Sequence, residues 1–99
     1  MARELYHLPG VDGYVLNVQA DLLVSFATTM VVPLLPLEGM SRPMARLNPV
    51  FEIAGRSFVM MTQAMAAVPR RDLGEPVGHL GEDRHYDITQ ALDILLSGF

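Results

Sequence analysis

The hydrophobic pattern of this chain changes period once, and that change limits the fold more than any other feature. Up to about residue 81 the apolar residues alternate or form short β-branched runs cut by Pro and Gly. Beyond it they recur every three to four positions. With Ile88 as origin and about 100° per residue, Ala91, Leu92, Leu95, Leu96 and Phe99 fall in a stripe roughly 140° wide. Asp83 or Asp87 is placed to cap the start, and Ser97-Gly98 to end the segment. The expectation is a β-rich body followed by one amphipathic C-terminal α-helix. Ile94 falls off the stripe, towards Asp87 and Gln90, which suggests a second contact surface.

The body divides into short strands. Leu5, Tyr6 and Leu8 suggest a first strand, followed by turn chemistry at Pro9-Gly10 and Asp12-Gly13. From Tyr14 to Asp21 the chain alternates, with Leu16, Val18 and Ala20 on one face and Asn17, Gln19 and Asp21 on the other. That predicts a strand with one solvated face. Ser25 to Thr29 reads as a loop and Met30 to Leu35 as a strand. Pro33 lacks a ladder donor, so a bulge or a sheet edge is expected there. Pro36 to Pro43 reads as a connection and Met44 to Leu47 as a short strand. Val50–Ile53 and Ser57–Thr62 flank Ala54-Gly55-Arg56 in the clearest hairpin, with Gln63 to Val68 a further strand. Pro69 to Gly81, rich in Gly, Pro and charge, reads mostly as loop.

Ninety-nine residues hold one cored domain, spanning 1–99, with a core small enough to gain from oligomerisation. No cysteine is present, which excludes disulfides, thiolate metal sites and thiol catalysis. Seven basic residues, all arginine, against eleven acidic ones leave a net charge of −4, a poor footprint for phosphate contacts. The arginine bias reads as genome base composition. The longest apolar run, Met30 to Leu37, is broken by Pro33 and Pro36, so no membrane span is expected. The first residues lack a signal-peptide pattern, and a cytoplasmic protein follows as the default expectation.

Catalytic motifs are absent: no G-x-S-x-G, no phosphate-binding glycine loop, no H-E-x-x-H. His79, Glu82, Asp83 and His85 lie within seven positions and have the chemistry for zinc or manganese. They also sit where a helix starts and acidic residues offset its dipole, which is the favoured reading; no metal and no cofactor are expected. Glu52, between Phe51 and Ile53, is expected to face solvent. Met60, Met61 and Met65 are expected to fill core, and Arg70-Arg71-Asp72 to be a solvated turn. Residue chemistry favours a binding protein over an enzyme.

Collinear blocks run along the chain: Val18-Gln19-Ala20-Asp21-Leu22-Leu23, Met30-Val31-Val32-Pro33-Leu34, Met60-Met61-Thr62 and Met65-Ala66-Ala67-Val68-Pro69. Gly74-Glu75, Val77, Leu80, Asp87-Ile88 and Ala91 continue the series. Together they resemble the CcdB family of toxins. The resemblance implies an SH3-like barrel, with a five-stranded antiparallel sheet, a small second sheet and the C-terminal helix. It implies a homodimer that is not an enzyme. Such a toxin binds the A subunit of DNA gyrase and traps gyrase on cleaved DNA. A CcdA-like antitoxin with a disordered segment neutralises it, and operator DNA is bound only through the antitoxin complex. Carried over residue by residue, the gyrase-facing positions are Leu22, Leu23, Asp93, Leu96, Ser97, Gly98 and Phe99. The family ends in Trp-Gly-Ile, whereas this chain ends in Ser97-Gly98-Phe99. An alternative is therefore a family member that has lost gyrase poisoning and acts as an antitoxin-binding or regulatory module.

Overall fold

The computed structural model describes every residue except 1, 2, 8, 11, 21, 22, 24, 25, 41 and 99. Among the described residues seven strands are formed: β1 (Arg3–Tyr6), β2 (Tyr14–Asn17), β3 (Thr28–Pro36), β4 (Val50–Ile53), β5 (Arg56–Met60), β6 (Ala66–Pro69) and β7 (Gly78–Leu80). The α-helix α1 (His85–Ser97) follows them. All strand pairs are antiparallel. The order is β4-β5-β3-β2-β1-β7, with β6 also paired to β3.

The expected five-stranded sheet with a separate small sheet is corrected to one continuous curled sheet. The cause is β3, which is nine residues long and serves two partners along one edge. Its first half, Thr28 to Val31, pairs with β6, and its end, Leu34 to Pro36, pairs with β5. Pro33 lies where the partner changes. Its carbonyl accepts from the Met61 N–H at 2.9 Å, and a strand residue points its N–H and C=O to the same edge. The missing donor of Pro33 therefore falls in the gap between two partners. Of the bulge or sheet edge that the sequence suggested, the edge is excluded, because the proline sits inside a central strand.

The sheet curls without closing. Its end strands β4 and β7 face each other across a polar cleft of about 390 Å³, lined in part by Glu52, His79, Asp83 and Arg84. Arg84 spans this seam: its Nη2 donates to the Val50 carbonyl at 3.2 Å, and its guanidinium lies 4.6 Å from the Phe51 ring centre. An ion pair to Asp87 at 3.1 Å ties the same side chain to the first turn of α1. Neither Asp83 nor Asp87 caps the helix. The chain enters α1 from a 3-10 turn, Glu82–Arg84, and Arg84 occupies the position where a cap was expected. At the far end Gly98 adopts φ +78 and donates its N–H to the Ile94 carbonyl, as the sequence anticipated.

The main core lies inside the curl. Leu16, Val32, Leu34, Phe51, Phe58 and Met60 pack there against Ile88 and Ala91 of α1. A second cluster, Tyr6, Val15, Val31 and Leu73, covers the opposite face of β1–β3. This second cluster is why the predicted solvated face of β2 is wrong. Asn17 is 8% exposed, and its Oδ1 accepts from the Thr29 hydroxyl at 2.9 Å and the Gln19 N–H at 3.1 Å. A polar residue in an alternating strand marks solvent only when nothing else packs on that face.

Two further expectations change. Met44–Leu47 is a turn rather than a strand. Asn48 closes it by donating its N–H to the Met44 carbonyl at 2.7 Å and accepting the Met44 N–H on Oδ1 at 3.1 Å. Residues 63–68 are not one strand: a 3-10 turn at Thr62–Ala64 precedes β6. The 69–81 stretch is mostly loop, as expected, but contains β7, three residues supplied with partners by β1. Asn48 is itself 4% exposed, and its Nδ2 donates to the Met60 carbonyl at 3.0 Å and to Gln63 Oε1 at 2.8 Å. Asn48→Ala strands these groups and should lower stability by about 2–3 kcal/mol, read from the urea midpoint at unchanged slope.

Candidate functional site

The helix gathers most of the positions singled out at the C-terminus. Its inward face carries Ile88 and Ala91, both fully buried, with Leu92 packed against them. The stripe predicted from sequence is therefore real, but its last member on the described chain is not buried: Leu96 is 73% exposed. Asp93, Ser97 and Gly98 are also exposed. The C-terminal turn of α1 thus presents an apolar residue beside small and acidic ones. Phe99 and Leu22 lie outside the described residues.

Ile94, off the stripe, is half-buried. With Gly98 it forms one wall of an open apolar cleft of about 320 Å³, and Met44, Ala45, Arg46 and Leu47 form the other. The turn that Asn48 closes is therefore what shapes the space beside the helix end. Met44 is 62% exposed at its rim. No motif predicted this turn; the one signal was Asn48 followed by Pro49, a dipeptide that marks turns.

Leu23 belongs to a different element, the connection between β2 and β3. It is half-buried, and its N–H donates to the Ala20 carbonyl at 2.9 Å. Its own carbonyl accepts from the Phe26 N–H at 3.1 Å and from Arg70 Nη2 at 3.2 Å. No hydrogen bond joins Leu23 to the end of α1 among the described residues, so one chain holds the two groups on separate elements. Arg70 was expected to be solvated. It is half-buried instead, and only Arg71 and Asp72 of that turn are exposed. Nearby, burial pushes the Tyr6 phenol above its ordinary range, with Glu4 adding and Arg70 opposing.

Of the four residues clustered between His79 and His85, His79 and Asp83 line the seam cleft, and Glu82 and His85 are not part of its lining. His79 pairs with Glu4 in the β1–β7 ladder. His85 Nε2 lies 3.4 Å from the Thr89 hydroxyl one turn along α1. Among the described residues no group of three or more His, Asp or Glu side chains is arranged to hold a metal ion. Glu52 is exposed, while Met60 is fully buried and Met65 packs on the core. Among the described residues no helix is long and apolar enough to cross a membrane.

Many solved structures share this architecture, two mycobacterial proteins among them. One is the Mycobacterium tuberculosis toxin MazF-mt6, with a TM-score of 0.75 and 15% identity over 97% of this chain and 96% of that one. The other is an endoribonuclease in complex with its cognate antitoxin from a mycobacterial species. It has a TM-score of 0.74 and 14% identity over 96% of this chain and 90% of that one. At such identities the likeness speaks to fold alone, a curled antiparallel half-barrel with a C-terminal helix. The sequence itself carries the family: the CcdB protein model matches residues 4–98, nearly the whole chain. The protein therefore belongs to the CcdB family of toxin–antitoxin toxins.

Proposed function

We propose that this chain is the toxin of a type II module, that it binds the DNA gyrase A subunit, and that it traps gyrase on cleaved DNA. The observation that carries this reading is the family match across residues 4–98. It is supported by the exposure of Leu96 at the helix end, since binding surfaces are built from apolar side chains that a monomer leaves uncovered. The action is binding without catalysis, in the cytoplasm, as a homodimer with the SH3-like barrel arrangement of the family. A CcdA-like antitoxin with a disordered arm neutralises it and carries the operator DNA contact. The exposed side chains Met44, Val77 and Leu96 offer apolar surface for partners, antitoxin or a second copy.

The test has three readouts. Induced expression should arrest growth, and co-expression of the antitoxin encoded beside it should relieve the arrest. The purified protein should bind a gyrase A fragment and show by light scattering twice its monomer mass of 10.9 kDa. A folded species of monomer mass at micromolar concentration would remove the dimer. A second reading is favoured by exposed Ser97, where the family has tryptophan: a member without gyrase poisoning that titrates antitoxin. That reading predicts antitoxin binding with a strongly negative heat-capacity change, and neither arrest nor gyrase binding.

A further inference from the structure

Three hydrogen bonds converge on the backbone around Leu23 and Phe26 from a single residue. Arg70 Nε donates to the Phe26 carbonyl at 2.7 Å, and Nη2 donates to the Leu23 carbonyl at 3.2 Å. The Arg70 backbone N–H donates to the Ala27 carbonyl at 2.8 Å. The clamp is tertiary, with a sequence separation of 44 residues to Phe26 and 47 to Leu23. Beside this pinned backbone the Phe26 ring is 58% exposed, one of the few large apolar side chains the fold leaves open. Fixing this backbone costs conformational entropy on folding, and the three hydrogen bonds offset that cost while leaving the ring uncovered. A rigid, exposed aromatic is also what a binding anchor requires, since little further entropy is lost on docking.

We propose that Arg70 is a positioning residue for target binding: it locks the backbone from which Phe26, close to Leu23, is presented as an aromatic anchor to an apolar pocket on the target protein. The inference rests on the gyrase A reading for the identity of that target. The guanidinium fork is suited to the task, because two donors held in one plane fix two carbonyls at once, which a lysine ammonium does less well.

The chain has no tryptophan, so Phe26→Trp places a single fluorescent reporter on the segment. In the Phe26→Trp protein the indole should show slow anisotropy decay, with limited local motion. Adding Arg70→Ala should release fast nanosecond motion, and Arg70→Lys should give an intermediate decay. Identical decay in all three would overturn the clamp, whatever the target. Binding of a gyrase A fragment by wild type, Phe26→Ala, Arg70→Ala and the double variant completes the test. Each single change should weaken binding about tenfold, and the double variant should be no more than about twofold worse than either, because both remove one presented anchor. Losses that multiply to roughly a hundredfold would show independent roles and overturn the proposal. Binding unchanged by all variants would also overturn it and leave the gyrase reading standing. If no form binds gyrase A while the anisotropy responds as expected, the gyrase reading falls and the clamp stands. A Phe26→Ala protein that loses its dimer mass would place the ring between copies of this chain and overturn the anchor. If Arg70→Ala does not fold, Arg70→Lys with Phe26→Ala supplies the same cycle.

Discussion

Gly13→Ala should lower the melting temperature by roughly 20 °C, corresponding to about 4 kcal/mol in a domain of this size. Gly13 holds φ at +128, where L side chains are rarely found, in the turn between β1 and β2. A Cβ there would overlap the Leu34 carbonyl oxygen and stand 3.3 Å from its carbon, both backbone atoms of the central strand. Neither side can give way easily. The Gly13 carbonyl accepts from His7 Nδ1 at 3.1 Å, and the His7 ring stacks on Tyr14 at 4.6 Å. Leu34 is paired to both Tyr14 and Met60. Gly10→Ala is the control, because Gly10 also has a positive φ, +80, but a Cβ there would meet nothing within 4 Å. That change should cost only the left-handed penalty, about 1–2 kcal/mol. Thermal melts of the two variants side by side decide the matter: equal losses would mean that conformation, not the Leu34 contact, governs the turn.

This glycine also marks how far a sequence can be read. Asp12-Gly13 signals a turn, but the atom that Gly13 must clear belongs to a strand distant in sequence and has no local signature. The elements legible in advance are those whose cause is local. The β4–β5 hairpin turns on Ala54 at φ +52 and Gly55 at φ +82, the paired positive angles of a two-residue connection. The helix face and its Gly98 terminus follow from period and from glycine's tolerance of positive φ. What escaped reading depends on partners distant in sequence. β7 exists because β1 pairs with it, Asn17 is buried because Leu73 and its neighbours cover that face, and Arg70 is half-buried because two carbonyls of another segment accept from it. For the candidate site the same division holds. The family resemblance singled out Asp93, Leu96, Ser97 and Gly98, and the helix period added only that Leu96 lies on the apolar stripe and Ser97-Gly98 at its end, whereas the cleft between Ile94 and the Met44–Leu47 turn needed the Asn48 contacts to be seen.

Ser97→Trp should strengthen binding of a gyrase A fragment by about thirtyfold, on the reading that gyrase is the target. Serine offers a hydroxyl and almost no apolar area. A tryptophan can bury on the order of 200 Å², so half of that surface is worth roughly 2 kcal/mol, or about thirtyfold in affinity. The fold has room for it: Ser97 and Gly98 are exposed at the end of α1, and Leu96 beside them is 73% exposed, so the new ring displaces no core residue. Stability should change by less than about 0.5 kcal/mol, as for other exposed positions. Deleting Ser97, Gly98 and Phe99 should remove the gain and most of the residual binding while leaving Ile88 and Ala91 seated in the core. Isothermal titration of the three proteins against one gyrase A fragment separates the possibilities. Tight binding by the wild type that Ser97→Trp weakens would mean that the interface is built around serine. A flat response to both changes would move the target contact away from the helix end, towards the element that carries Leu23 and Phe26.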